Sequence, residues 1–302
     1  METPFPTGFD ILTLPPIPLP RRVLMTTPTF FDVEYVINPH MEGHIGGVDT
    51  DRARAQWEAL RDAYRDLGVD VVVLEGAEGL PDMVFCANQT LPYRTPGGDQ
   101  GVVLSRMNAP ERHEEVAHYA RFFEDEAYEI LHLDADITGD LGSSPGQSFE
   151  GMGDALWHPG RYLLWGGYGY RTDRAIFDGL SERLGFPVLP LHLTDPDFYH
   201  LDTCLCPLDE TTALIYPGAF QQEGIELIHA HFDRVLEASE GEARELFACN
   251  AHSPDGKHVI IQRGCTETDH QLSEAGYEVI EVDTDEFLKS GGSVFCMKLM
   301  FW

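Results

Sequence analysis

The feature that most constrains the fold is a unit of strand, strand, helix and strand that recurs with a period of about sixty residues. In each unit two short apolar runs precede an amphipathic stretch and a further apolar run. The predicted units span residues 83–133, 148–191, 199–238 and 248–282. A repeat of this length favours an array or propeller of small units over a single doubly wound sheet.

The two ends of the chain supply one more unit. Strands are predicted at 22–27 and 69–74, with a helix at 49–67, and the apolar run at the C-terminus would complete them. The sequence therefore predicts one α/β propeller domain over residues 21–302. Residues 1–20 are rich in proline and lack periodicity, so we expect a surface arm there.

The first strands of the units bring polar residues to one place. These strands are predicted at 83–91, 148–157, 199–205 and 294–302. In a closed ring the inner strands begin close to the central axis. We therefore expect Asn88, Glu150, His200 and Cys296 to meet in one pocket, although they are far apart in sequence.

The charge of the chain is its most unusual bulk property. Fifty-one acidic residues oppose twenty basic ones, giving a formal net charge of −31. Such a surface repels itself unless salt screens it, which is typical of proteins from high-salt environments, and it disfavours nucleic-acid or anionic-membrane partners. Six scattered cysteines without a CxxC pair, no signal peptide and no long apolar run predict a soluble cytoplasmic protein. No cofactor is expected.

Taken singly, each candidate site residue also has a structural explanation. Cys296 follows a glycine turn and could simply fill the core. His200 and Asp202 share one face of the predicted strand, which could be an exposed polar face. Glu150 is followed by glycine in an apolar setting and could be a solvated acid in a turn, and Asn88 could bond a nearby loop.

Taken together, these residues supply the roles needed for covalent attack on carbon. Cys296 would be the nucleophile, His200 the general acid and base, and Glu150 the group that orients the imidazole. Asp202 would raise the pKa of a neighbouring thiol, which opposes activation. A cationic substrate such as a guanidinium would neutralise Asp202 and favour the thiolate.

This set resembles the guanidino-modifying, or pentein, superfamily over nearly the whole chain. The resemblance implies a five-bladed α/β propeller of ββαβ units around the active site. Glu150 matches the acid of the EGxGD signature, and His200 with Asp202 matches His-x-Asp. By the same resemblance the substrate would contact the residues Asp202, Asn88, Arg171, Arg112 and Asn38. For the two arginines, which match residues that bind a substrate carboxylate, the alternative is an ordinary salt bridge.

The resemblance implies a cysteine-dependent hydrolase that acts on arginine or a close derivative through a thiouronium intermediate. Dimethylarginine hydrolases resemble a His-Leu-Lys pattern at this position, whereas this chain has His-Leu-Asp, ending in Asp202. The runs around Asn38 and Asn88 look most like those of single-domain arginine dihydrolases. Dimethylarginine hydrolysis and amidino transfer to an amine remain open. A ribosome-binding module of the same fold and a zinc hydrolase using His200, Cys204 and Cys206 are the more distant alternatives.

Overall fold

Five small sheets form the molecule. The structure is a computed structural model, and it describes residues 9–138 and 147–302. The strands are β1 (Arg22–Thr26), β2 (Asp70–Leu74), β3 (Thr90–Arg94), β4 (Gln100–Leu104), β5 (Glu129–Leu131), β6 (Ala155–Trp157), β7 (Leu164–Tyr168), β8 (Val188–His192), β9 (Leu205–Pro207), β10 (Thr212–Ile215), β11 (Arg234–Glu237), β12 (His258–Gln262), β13 (Glu278–Val282) and β14 (Leu299–Phe301). The helices are α1 (Thr50–Asp66), α2 (Glu115–Asp125), α3 (Gly151–Asp154), α4 (Arg174–Leu184), α5 (Gln222–His231), α6 (Glu240–Leu246), α7 (Thr266–Ala275) and α8 (Asp285–Leu288).

Each sheet repeats one topology. In the sheet β3-β4-β5 the first two strands are antiparallel, and β4 reaches its parallel neighbour β5 through helix α2. The sheets β6-β7-β8 and β9-β10-β11 are built in the same way. In the fourth unit an isolated bridge between His252 and Ile260 stands where the antiparallel partner of β12 would be. The propeller predicted from the repeat and the five blades implied by the family resemblance are both confirmed.

The C-terminal strand closes the ring. Strand β14 pairs antiparallel with β1, and β1 pairs in parallel with β2 after the crossover through α1. Asp49 caps α1 by accepting a hydrogen bond from the backbone N–H of Arg52, and Trp57, Leu60 and Tyr64 lie buried on its inner face. The helix ends before Gly68, whose φ of +74° suits glycine. The N-terminal blade is therefore built from both ends of the chain, as predicted.

The predicted inner strands begin later than expected. The runs at 83–91, 148–157 and 199–205 start with helical turns at Pro81–Val84, Gly151–Asp154 and Leu201–Thr203, and the strands follow only at Thr90, Ala155 and Leu205. Residues 294–297 likewise form a turn before β14. These segments are buried on all sides at the centre of the ring. Their apolar runs therefore carry no alternation, and the pattern cannot distinguish a strand from a buried turn.

The helix predictions needed smaller corrections. A helix expected to run as far as Ala238 ends at His231, because residues 234–237 form the parallel outer strand β11. The helix predicted from Ala109 begins as a separate turn at Pro110–Arg112. Helices α6 and α8 were not predicted, since both are too short to show a helical period.

The described part of the N-terminal arm lies against the propeller. Ile17 is buried, its backbone N–H donates to the carbonyl of Gly160, and the indole of Trp302 donates to the carbonyl of Pro18 at 2.6 Å. The rest of the predicted arm, residues 1–8, falls outside the described residues. Within the described ranges no helix is long and apolar enough to cross a membrane.

Candidate active site

The turns that precede the inner strands converge on one buried cavity. Asn88, Glu150, His200 and Cys296 are each no more than 3% exposed. The free space between the side chains is only about 10 Å³, so a substrate can enter only if the walls move apart. The cavity is lined by Ile37, Asn38, Met41, Asp82, Phe85, Asn88, Arg112, Arg171, Tyr199, His200, Ser290, Gly291 and Cys296.

Backbone packing of these turns requires glycine. Gly151 follows Glu150 with a φ of +48°, and a Cβ there would lie 2.7 Å from the carbonyl oxygen of Asn88. The Asp154 side chain accepts a hydrogen bond from the backbone N–H of Leu201 at 3.0 Å. The glycine-rich turn thereby holds the turn that presents His200, so two distant segments are fixed relative to each other.

Cys296 and Asp202 are in direct contact. The Cys296 thiol donates to Asp202 Oδ2 at 3.2 Å, and the other carboxylate oxygen, Oδ1, is buried without a hydrogen-bond partner among the described residues. His200 precedes the helical turn Leu201–Thr203 and Asp202 lies within it, so the two do not share a strand face and that prediction was wrong. The turn directs His200 towards Glu150 and Asp202 towards the thiol.

Asn250 positions the cysteine, and the sequence did not identify it. Its Oδ1 accepts hydrogen bonds from the backbone N–H groups of Ser293, Phe295 and Cys296 at 3.0–3.3 Å. Its Nδ2 donates to the Cys296 sulfur at 3.2 Å and to the Asp202 carbonyl at 2.9 Å. The run Cys249-Asn250-Ala251 has the same small, apolar setting as Cys86-Ala87-Asn88, and this similarity was the available signal.

The imidazole of His200 is held by a buried ion pair. Its Nε2 lies 2.7 Å from Glu150 Oε2, and Arg171 Nη1 donates to both Glu150 oxygens at 3.2 and 3.3 Å. Arg171 Nη2 donates to the Ile37 carbonyl, and the guanidinium lies over the ring of Tyr199. Glu150, His200 and Arg171 thus form one network at the cavity wall.

Arg112 is bound mainly by the protein itself. It donates to the buried Glu115 carboxylate and to the carbonyls of Asp82 and Phe85 at 2.9–3.2 Å. Its Nη1 donates to Asn88 Oδ1 at 3.0 Å. Because a guanidinium can only donate, this contact fixes the Asn88 amide with its oxygen towards Arg112. Asn88 Nδ2 is left buried and without a partner among the described residues.

The orientation of Asn88 differs from the role predicted for it. A guanidinium substrate offers only N–H donors, and the free group of Asn88 is also a donor, so the two do not pair. Asn38 lines the cavity, yet its amide donates to the Ser290 carbonyl and accepts from the His40 backbone. Asp82, which was not predicted, lines the same cavity with Oδ2 unpartnered in the described structure.

Burial and local charge set the protonation of the site. Burial raises the pKa of Asp202 to about 7, and burial together with Asp202 raises that of the Cys296 thiol well above its ordinary value. Burial lowers the pKa of His200 to about 4 although Glu150 opposes this. Burial also opposes ionisation of Glu150, but Arg171 and His200 outweigh it and lower its pKa. At neutral pH the resting site therefore holds a thiol and a neutral imidazole.

The described residues around His200, Cys204 and Cys206 do not form the zinc site considered from the sequence. The Cys204 and Cys206 thiols donate to backbone carbonyls. Among the described residues no group of three or more His, Cys, Asp or Glu side chains is placed to bind a metal ion. A cation beside Asp202 would offset its charge and lower the thiol pKa.

Comparison with known proteins agrees with this geometry. A family model described as N,N dimethylarginine dimethylhydrolase, eukaryotic, matches residues 44–300. The N(G),N(G)-dimethylarginine dimethylaminohydrolase of Mycobacterium tuberculosis is 38% identical over 93% of this chain and 86% of its own length. The bifunctional arginine dihydrolase/ornithine cyclodeaminase AgrE of Nostoc sp. is 37% identical over 92% of this chain. The chain spans only 37% of the length of AgrE.

A solved structure gives the same result for the fold. The substrate-bound N-terminal domain of ArgZ, an arginine dihydrolase from cyanobacteria, superposes with a TM-score of 0.83 at 35% identity. The match covers 92% of this chain and 97% of that domain. The motifs, the five-bladed ring and these similarities agree, and the chain belongs to the dimethylarginine dimethylaminohydrolase family of guanidino-modifying hydrolases.

Proposed function

We propose that the chain hydrolyses the guanidinium group of arginine through a covalent intermediate on Cys296. The observation that carries the proposal is the 3.2 Å contact between the Cys296 thiol and Asp202, whose second oxygen is unpartnered among the described residues. A buried carboxylate with a free acceptor matches the N–H groups of a guanidinium. The same contact leaves the nucleophile protonated until a cation arrives.

The remaining cavity residues suit an amino-acid substrate. In this proposal Arg171 binds the α-carboxylate, and the free Asp82 Oδ2 accepts from the α-ammonium. Arg112 acts mainly by holding Asn88, because Glu115 and backbone carbonyls take most of its N–H groups. Arginine is favoured over methylated derivatives, since this chain has Asp202 where dimethylarginine hydrolases have a lysine, and its runs around Asn38 and Asn88 resemble those of arginine dihydrolases.

The first hydrolysis then proceeds in two steps. The thiol transfers its proton to His200, and the thiolate adds to the guanidinium carbon. The imidazolium, stabilised by Glu150, protonates one amino group, which leaves as ammonia and gives a thiouronium on Cys296. His200 next removes a proton from water as the water attacks the same carbon. Collapse expels the thiolate and leaves citrulline.

The orientation of Asn88 favours a second hydrolysis. Citrulline has a ureido oxygen where arginine has a nitrogen, and Asn88 Nδ2 is a free donor that such an oxygen can accept from. Cys296 would add to the ureido carbon and expel the second ammonia, giving a thiocarbamate. Water would release a carbamate that decomposes to ornithine and carbon dioxide. An aspartate at position 88 would present no such donor while ionised.

Product analysis tests the proposal. The protein is incubated with arginine in high salt, and ornithine, citrulline and ammonia are quantified, with Cys296→Ala as the inactive control. We expect ornithine and two molecules of ammonia per arginine. Accumulating citrulline would refute the second step alone. Turnover only of dimethylarginine, or only with an added amine acceptor, would replace arginine hydrolysis by one of the two related reactions.

The setting of the enzyme is also a proposal. All six cysteines are buried free thiols, which suits a reducing cytoplasm. The excess of acidic residues suits high salt, and residues 21–302 would act as one catalytic unit.

A further inference from the structure

Lys298 is a buried amine that the reaction described above does not use. It is 0% exposed, and its Nζ has no hydrogen-bond partner among the described residues. The amine lies over the Phe295 ring, 3.1 Å from the ring centre. A lysine in such a position is rare, because an ammonium taken out of water needs a counter-charge.

The groups around Lys298 include one candidate counter-charge. Those that act on it electrostatically are Asp202, Cys206, Cys86 and Cys296, and Lys298 in turn acts on His252. Burial raises the pKa of all three thiols and lowers that of His252 well below its ordinary value, so these four groups are neutral near pH 7. Asp202 is the acid in this set.

The local geometry connects Lys298 to the nucleophile. Lys298 follows Cys296 by two residues, and its backbone N–H donates to the Phe295 carbonyl in the turn that carries the thiol. Asp202 Oδ2 accepts from that thiol, while Oδ1 has no partner in the described structure. A carboxylate oxygen and an ammonium are thus both buried and both without hydrogen bonds among the described residues, and Asp202 is the first of the charged groups that act on Lys298.

We propose that Lys298 is the buried counter-cation of Asp202, a positioning residue that keeps this carboxylate ionised in the substrate-free site. The inference rests on the proposed role of Asp202 in binding the guanidinium. An ionised Asp202 attracts the cationic substrate, whereas a protonated one does not. Lys298 therefore sets the lower limit of the pH range in which the site binds arginine.

The protonation of the two groups is consistent with such a pair. Burial raises the pKa of Asp202 to about 7, and Lys298 opposes the rise. Burial lowers the pKa of Lys298 to about 7, and Asp202 opposes the fall. Loss of either charge therefore shifts the pKa of the other group, and both pKa values lie near neutral pH. Lys298 also lines a cavity of about 350 Å³ together with Met300 and Trp302, which provides space for water.

Lysine labelling tests the pair directly. The chain has only three lysines, so [13Cε]-lysine gives three resonances, and the exposed Lys257 and the half-buried Lys289 serve for comparison. We expect Lys298 to titrate near neutral pH in the wild-type protein. Asp202→Asn should lower its midpoint by about one to two pH units. An unchanged midpoint would overturn the proposal, whether or not the protein turns over arginine.

Kinetics test the consequence for function. Lys298→Met should move the acid limb of kcat/KM for arginine up by about one to two pH units, with the change carried by KM and with convergence to wild type at alkaline pH. Cys206→Ala, which truncates a neutral neighbour of Lys298, should leave the limb in place. A folded Lys298→Met protein with an unmoved limb would refute the inference while leaving arginine hydrolysis intact. If that variant does not fold, the resonance of Lys298 in the wild-type protein decides.

Discussion

Removing the charge of Asp202 should make the protein more stable, and increasingly so as the pH rises. The pKa of this carboxyl is raised from 3.8 to about 7 by burial. Between these two values the folded chain keeps a proton that the unfolded chain has lost, so the folded state becomes less stable as the pH rises. The loss is about 1.4 kcal/mol per pH unit, or roughly 4 kcal/mol in total, and it is complete above pH 7.

The Asp202→Asn variant has no such proton to lose. Its free energy of unfolding, measured by urea denaturation at fixed salt, should exceed that of the wild-type protein by an amount that grows between pH 4 and 7. The difference should then level off near 4 kcal/mol above any constant offset from the altered contact with Cys296. Activity should be lost throughout, because the guanidinium loses its acceptor.

The matched control is Asp66→Asn, the same substitution on the exposed face of α1. If the difference in free energy of unfolding between Asp202→Asn and the wild-type protein did not change with pH, the reasoning would be refuted. Such a result would mean that this carboxyl ionises as easily in the folded protein as in water. A difference that falls with rising pH would show instead that Lys298 and Asn250 overcompensate the burial of Asp202.

Three further predictions concern the site and the surface. Gly153→Ala places a Cβ against Asn88 Nδ2 and 3.3 Å from His200 Cγ, so turnover should fall about a hundredfold, whereas Gly224→Ala in α5 should leave it unchanged. Arg171→Met leaves Glu150 without its cation, so urea unfolding should show a loss of about 3 kcal/mol at pH 7 and less under acid conditions, where Glu150 is protonated. Raising KCl from about 0.1 to 2 M should raise the melting temperature by ~5 °C or more, because salt screens the net charge of −31.

The ring could be predicted from the sequence because its outer parts follow simple rules. Helix α4 runs from Arg174 to Leu184 as predicted, since its apolar residues keep helical spacing and Gly185 ends it in the left-handed conformation. The parallel strands β8 and β13 could be predicted because each is a short, largely apolar run that follows a helix. The pairing of β14 with β1 also followed from the repeat, because the first unit lacked its inner strand.

The conformation of the centre of the ring was harder to predict, since it depends on long-range contacts that the hydrophobic pattern of the sequence does not contain. Asn250 holds the Cys296 turn through three backbone N–H groups supplied by a segment more than forty residues away. Nothing in the run around Cys296 predicts that partner. Cys296, Asp202, His200 and Glu150 lie at the centre of the ring on turns, and not on the strands that the sequence predicted. The burial of Lys298 was not predicted, because a single lysine in an apolar run carries no periodic signal.

The charges at the centre of the ring explain why the site suits a cation. Four buried carboxyl groups, Asp82, Glu115, Glu150 and Asp202, face three buried cations, Arg112, Arg171 and Lys298. Asp154 adds no charge, because burial raises its pKa well above the ordinary value. The pKa values of Glu115, Asp202 and Lys298 all lie at about 7, so these groups exchange protons near neutral pH. When all seven groups are ionised, the substrate-free centre carries one uncompensated negative charge in a region that water barely enters. Arginine brings a zwitterionic backbone and one positive side chain, so its binding neutralises the centre. A neutral side chain leaves that charge in place, and therefore the ureido intermediate must be retained by hydrogen bonds such as the one offered by Asn88 rather than by charge.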